Sequence, residues 1–282
     1  MNRRIPWLVA VVLFAGGSAV LRSEETAEDR NRKTTSHWIG VAEEVAKRQR
    51  LLDPNSPKEP FKLHEQAIFR HTQSVRGDDI GAVYLWTPSS SDRPAAVGVF
   101  FAWSQGRMRN VMEEFHSFHN GPIRREADGH PTWNCPDAGL QWNRSDNLPA
   151  PASDLRRMKL QARQFPRGLS VKTTTSEGQS WELRSVPKPF YEYTDADAEI
   201  DYGAIFGFCQ GTDTELLVAI EARSTDDQPA WFYALAPFSD YQISVDLPDG
   251  TTWTSPDGDS GQNGKPHYWG PVESRPKPDF ER

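Results

Sequence analysis

The sequence predicts an α+β fold of two tandem, degenerate units, each a helix followed by an antiparallel sheet of about five strands. Three observations lead there. The stretch IGAVYLWTPSSSDRPAAVGVF, Ile80 to Phe100, is echoed by YGAIFGFCQGTDTELLVAI, Tyr202 to Ile220. A basic, amphipathic stretch precedes each copy. The 22 Pro and 20 Gly favour many short elements over a helical bundle. Two such units in one chain are expected to pack as a pseudo-dimer, with their sheets side by side or face to face.

At the N-terminus, Met1-Asn2-Arg3-Arg4 precedes an uncharged run from Ile5 to Leu21. A basic segment followed by an apolar one is the pattern of an export signal. Gly17 and Ala19 fit the small-residue rule for cleavage after Ala19. Residues 1–23 are therefore read as a signal peptide or, uncleaved, an N-terminal anchor. No Cys follows the run, which argues against a lipoprotein anchor. The rest of the chain is expected in the periplasm, the cell envelope or the extracellular space. Membrane contact is expected only through that segment. Residues 24–35 are charged and read as a flexible spacer.

The first unit is expected over residues 36–133. In HWIGVAEEVAKRQRLL, His37 to Leu52, the residues Trp38, Val41, Val45 and Leu52 fall near helical spacing. Each Gly-Ala copy then reads as strand, polar turn, strand. The similarity extends upstream, where Leu63 and Phe69 match Leu183 and Phe190. It extends downstream, where Phe118, Ile123 and Trp133 match Phe238, Ile243 and Trp253 at one constant offset. Between the last two in each copy lies an Asp-Gly turn, Asp128-Gly129 and Asp249-Gly250. Residues 134–152, rich in Pro, Asn and Asp, read as a linker. In the second unit, residues 153–253, Ser153 can cap a helix whose stripe is Leu155, Met158, Ala162 and Phe165. Pro166 ends that helix. Residues 254–282 read as a loop-like tail.

Formal net charge is -7, with no basic cluster. That argues against nucleic acid or an anionic membrane surface as partner. Ten Trp and fourteen Phe suffice for a substantial core. The two cysteines, Cys135 and Cys209, could form a disulfide after export, or stay buried as free thiols.

IGAVYLWT, EEFHSF, LRRMKLQARQF, PKPFYEY, YGAIF and TDTELLVAIEAR together resemble a family of exported bacterial proteins known mainly from planctomycetes. The similarity runs from Glu59 to Trp253. It implies export and one shared architecture, and carries no activity and no site residues.

Four groups of residues could carry chemistry. The first is EEFHSFHNG, with Glu113, Glu114, His116 and His119. The repeat aligns it with WFYALAPFS, which reads as a strand. On a strand successive side chains alternate faces, so the four cannot converge. Glu114 and His116 share a face with Met112 and Phe118, and Glu113 shares the other with Val111 and Phe115. A metal would need ligands from elsewhere, such as His64 or His71. Glu114 and His116 stand where the second copy has Ala234 and Ala236. A His beside a carboxylate has a raised pKa and can act as an acid or base. The pair could equally be solvated, or hydrogen-bonded structure. A catalytic pocket would bring Glu65, His64 or His71 close to them.

The second group is Asp195, Asp197, Glu199 and Asp201, whose carboxylates would share one side of an extended chain and could hold calcium. A solvated acidic turn explains them as well. The third is GDSG around Ser260, reminiscent of serine proteases. Only Pro-rich sequence follows it, so an ordinary turn is the simpler reading. The fourth is aromatic. Trp133 and Trp253 read as core anchors, whereas Trp142, Tyr268 and Trp269 have no repeat partner and are candidates for ligand contact.

The sequence thus favours an exported, non-catalytic binding or structural protein acting on an envelope ligand or protein, with no cofactor required. Two alternatives remain. One is a hydrolase with its site around Glu114 and His116; the other is a calcium-stabilised adhesion or assembly protein.

Overall fold

Thr26 opens the first helix. Its hydroxyl accepts the Asp29 backbone N–H at 3.1 Å, and Glu28 and Asp29 follow in the first turn, where the helix dipole favours them. The helix, α1, runs Ala27–Arg48 and buries Trp38, Ile39, Val41, Ala42, Val45 and Ala46. It starts inside residues 24–35, the expected spacer. The computed structural model describes residues 26–73, 78–127, 130–224, 228–255 and 264–281. The expected signal segment and Ser260 lie outside these.

The first half continues with β1 Arg50–Leu52, β2 Lys62–Leu63, β3 Phe69–Gln73, β4 Asp79–Thr87, β5 Ala96–Gln105, β6 Met108–Ser117, β7 Ile123–Ala127 and β8 His130–Cys135. Then come β9 Asn143–Arg144, α2 Leu155–Ala162 and α3 Gln164–Arg167. The second half supplies β10 Ser170–Thr174, β11 Ser180–Ser185, β12 Tyr191–Asp195, β13 Ile200–Gln210, β14 Asp213–Arg223, β15 Ala230–Pro237, β16 Gln242–Asp246 and β17 Thr252–Thr254. The last strand is β18, His267–Pro276.

Strand makes up 48% of the structure and helix 16%, so sheet dominates and the helical share is smaller than expected. Among the described residues every pairing is antiparallel. One sheet runs β18-β6-β5-β4-β2, with β3 also on β4; a second, small sheet runs β1-β7-β8. The third runs β17-β16-β10-β11-β13-β14-β15-β9, with β12 also on β13.

Three apolar layers hold these together. Trp38 and Val45 of α1 pack with Trp86, Phe100 and Phe115 on one face of the first sheet, and with Ile123 and Trp133 of the small sheet. Val83, Leu85, Val97 and Val99 on the opposite face meet Ile205, Leu217, Ala219, Ala234 and Ala236 of the third sheet. Met158 and Ala162 of α2 cover that sheet's far side, with Phe206, Val218 and Ile243. Each Val, Leu, Ile, Phe or Met among them contributes about 1.5–3 kcal/mol on burial. Gly203 and Gly207 are needed here, because the rings of Tyr193 and Phe190 come within 2.4 and 2.2 Å of where a Cβ would stand.

Several expectations change. Asp154, not Ser153, caps α2, accepting Arg157 N–H at 3.0 Å, and Leu155 is 48% exposed. The tail is not loop throughout, since β18 lies along the whole of β6. Pro271 and Pro276 disguise it, but an edge strand tolerates proline on its unpaired side. Cys135 and Cys209 are separate buried free thiols, bonded to Asp137 O and facing Thr214 respectively. Among the described residues no helix is long and apolar enough to cross a membrane.

Candidate functional site

Alternation along β6 sets the site. Val111 and Phe115 point into the layer under α1, and Glu113 on the same face forms a buried ion pair with Arg125 of β7. Met112, Glu114 and His116 point the other way. The expected split of EEFHSFHNG between two faces is what the strand does. His119 lies past the strand end, with its Nδ1 at 3.2 Å from Pro122 O.

His116 reaches the floor of a cleft of about 850 Å³. One wall is β15, through Tyr233, Leu235 and Pro237; a second is the β16–β17 hairpin, through Leu247, Trp253 and Ser255. Gln141, just before β9, and Asn143 of β9, which pairs with Tyr233, also line it, and His267 joins His116 on the floor. Lining charges are balanced, Arg144 and Lys265 against Asp240 and Asp249. Gly139 makes this lining possible. It donates its N–H to His119 O at 3.0 Å and passes so close to Ser117 that a Cβ would stand 1.9 Å from the Ser117 carbonyl oxygen.

His116 Nδ1 is 2.9 Å from the Ser117 carbonyl oxygen, which can only accept, so Nδ1 carries the proton and Nε2 the lone pair. His267 pairs with His116 across β18 and β6, and the rings stack with centroids 6.2 Å apart. Its Nε2 is buried and has no hydrogen-bond partner among the described residues. Burial pulls the His116 pKa down to about 4, against the opposing pull of the Ser117 carbonyl. Burial, then repulsion from His116, takes His267 to about 3. Both are neutral near pH 7. The expectation that a carboxylate would raise the His116 pKa fails because desolvation wins.

Glu114 does not line the cleft. The residue as a whole is half-buried, but burial of its carboxyl pushes the pKa well above the carboxylate range, and Asp213, Glu215 and Asp240 push the same way. His64 and Glu65 sit at the far end of the first sheet, with His64 edge-on to Tyr191. His71 is buried 3.8 Å from Asp213, and burial lowers its pKa to about 4.

The remaining expected residues do not assemble. Asp195 accepts from Ser91 Oγ at 2.7 Å and Ala198 N–H at 3.1 Å, and Asp201 accepts from Ser224 Oγ at 2.9 Å. Asp197 is exposed, and Glu199 takes a left-handed turn conformation, φ 54°. Among the described residues no set of three or more His, Cys, Asp or Glu is arranged to hold a metal ion. Trp142 lies under the Arg223 and Arg93 guanidiniums, at 4.3 and 5.7 Å. Tyr268 and Trp269 point to opposite faces of β18, with Tyr268 over Arg125 at 5.0 Å. Trp253, expected in the core, is half-buried in the cleft wall instead, whereas Trp133 is fully buried.

No family model, curated relative or solved structure matches the chain.

Proposed function

We propose that the protein is an exported, non-catalytic binding protein, built from two duplicated helix-and-sheet units, whose ligand occupies the cleft beside β15. The cleft carries this reading. Its half-buried rings Tyr233, Tyr241 and Trp253 alternate with amides and hydroxyls, a lining suited to holding a ligand with both apolar and polar faces. The hydrolase alternative needs Glu114 and His116 to act together; Glu114 stands outside the cleft, and His116 is a weak base. Export is supported by the basic then apolar N-terminus and by the resemblance to exported bacterial proteins.

Duplication is supported by strand register. Phe69–Val83, Val83–Val99 and Ala96–Ser117 in the first half stand where Tyr191–Ile205, Ile205–Ala219 and Leu216–Pro237 stand in the second. Arg50–Glu126, Arg125–Trp133 and Lys62–Thr87 correspond likewise to Ser170–Asp246, Val245–Trp253 and Arg184–Cys209. Upstream, register moves the sequence match. Phe69 corresponds to Tyr191 and Leu63 to Ser185, while Phe69 and Phe190 stack on each other at 4.2 Å.

The test is a thermal-shift screen of saccharides, peptides and nucleosides against the full chain and its Leu235→Lys variant. A ligand that raises the Tm of the wild type and not of the variant is expected. No shift from any class, or equal shifts in both proteins, would overturn the reading.

A further inference from the structure

We propose that the cleft receives an extended peptide segment carrying a large aromatic side chain, seated against Trp253 and Leu235. This deepens the binding reading above and rests on its duplicated units. In the first unit the corresponding place is filled by the chain itself. Trp133 pairs with Arg125 as Trp253 pairs with Val245. Phe115, opposite Gly98, holds on β6 the place that Leu235, opposite Val218, holds on β15. Over Phe115 and Trp133 lies the segment from Lys265 to Tyr268. Tyr268 pairs with Phe115 in the β18–β6 ladder, and its ring is 6.4 Å from that of Trp133. The Trp133 indole N–H donates to Lys265 O at 2.9 Å. With this cover, and with the two rings stacked on each other at 5.7 Å, Phe115 and Trp133 are both 0% exposed.

The second unit has the corresponding walls, with Leu235 in the place of Phe115, and, among the described residues, no such cover. Its edge strand β9 reaches only Phe232 and Tyr233, whereas β18 runs along β6 through Phe115 and His116. Trp253 and Leu235 are therefore half-buried and face the cleft. An extended segment with an aromatic ring is what the chain itself places on this pair of walls.

Two differences shape the ligand. Val245 replaces the Arg125 guanidinium that lies against Tyr268, so the slot takes an uncharged ring by apolar contact rather than through a cation. Pro237 stands where Ser117 donates its N–H to Pro266 O at 2.9 Å, so the ligand backbone finds no donor there. Affinity then rests on the ring, as it does at other buried aromatic anchors. Gln141 and Asn143 in the cleft lining offer amides to the ligand's peptide groups.

The probe is a synthetic peptide with the sequence of residues 264–273, Gly-Lys-Pro-His-Tyr-Trp-Gly-Pro-Val-Glu. Binding to the full chain is measured by calorimetry, beside a Tyr268→Ala peptide. The expected result is saturable binding that weakens at least about tenfold, near 1.4 kcal/mol, for the altered peptide and for the Trp253→Ala and Leu235→Lys proteins. If Trp253→Ala does not fold by circular dichroism, Leu235→Lys and the altered peptide decide. No binding overturns the proposal. Equal binding to wild type and variants also overturns it, since the probe would then be displacing β18 from the first unit. A saccharide that shifts the wild type and not Leu235→Lys, with the peptide inert, overturns the peptide and leaves the cleft as a binding site.

Discussion

Replacing Glu221 with Ala should cost far more than removing a carboxylate of the same size from the surface. Glu221 is 0% exposed. Its carboxylate accepts two N–H groups from Arg93, at 3.0 and 3.2 Å, one from Arg223 at 2.6 Å and the Tyr193 hydroxyl at 2.7 Å. Arg93 comes from the loop between β4 and β5 of the first sheet, and Glu221 and Arg223 lie on β14 of the third, so the cluster ties the two halves together. Glu221→Ala leaves two guanidiniums near each other without their counter-charge and a phenol without its acceptor. Orphaning partners in a buried ion pair costs about 3–5 kcal/mol. The stranded phenol alone would cost about 1–3 kcal/mol, but it shares the network, so the whole loss stays near about 3–5 kcal/mol. With a urea slope of about 3 kcal/mol/M, the midpoint should fall by about 1–2 M. The assay is urea unfolding followed by circular dichroism and tryptophan fluorescence, with Glu43→Ala as control. Glu43 pairs with Lys47 on the α1 surface, the two side chains 41% and 62% exposed, and its loss should cost under about 1 kcal/mol. A Glu221→Ala loss no larger than the control's would refute the argument that this cluster locks the halves.

Three further outcomes follow from the same geometry. His71, His116 and His267 have folded pKa values lowered to about 4, about 4 and about 3. The unfolded chain then binds more protons below about pH 6.5, so stability is lost as pH falls from there toward 4, by up to about 1.4 kcal/mol per pH unit per group. Urea midpoints against pH check this, and His267→Gln should flatten the slope. Glu114 works in the opposite sense, because its raised pKa means stability is lost as pH rises above the ordinary carboxylate range. Glu114→Gln should therefore raise the Tm at pH 7.5 and leave it nearly unchanged at pH 4. Gly139→Ala must push the cleft wall off the Ser117 carbonyl, costing about 1–3 kcal/mol in urea unfolding and weakening any cleft ligand.

The parts of the fold legible in the sequence are those with period-two apolar patterns. β4, β5, β13 and β14 follow from the two Gly-Ala runs, and the facing of Glu113 against Glu114 and His116 follows from alternation on β6. The start of α1 was masked by charge, although Thr26 with Asp29 three residues on is a capping signal before the apolar stripe. β18 was masked by Gly270, Pro271 and Pro276, residues that an edge strand accepts and an interior strand does not. The cleft was the least legible feature. Its residues come from β6, the approach to β9, β15, the β16–β17 hairpin and the start of β18, and no local pattern joins them. The asymmetry between His116 and Ala236 did point to it, but the partner of His116 there is His267, not Glu114. The sequence match made Trp253 look like Trp133; the difference between them depends on a segment outside the matched stretches, Lys265 to Tyr268, that covers only one.

The claim that the cleft beside β15 is the ligand site is tested most directly by amide hydrogen exchange with the tightest ligand from the screen. Slowed exchange is expected, confined to Tyr233–Pro237, Tyr241–Ile243 and Thr252–Ser255. Slowed exchange centred on α1, or around Glu221, with these segments unchanged, would contradict it.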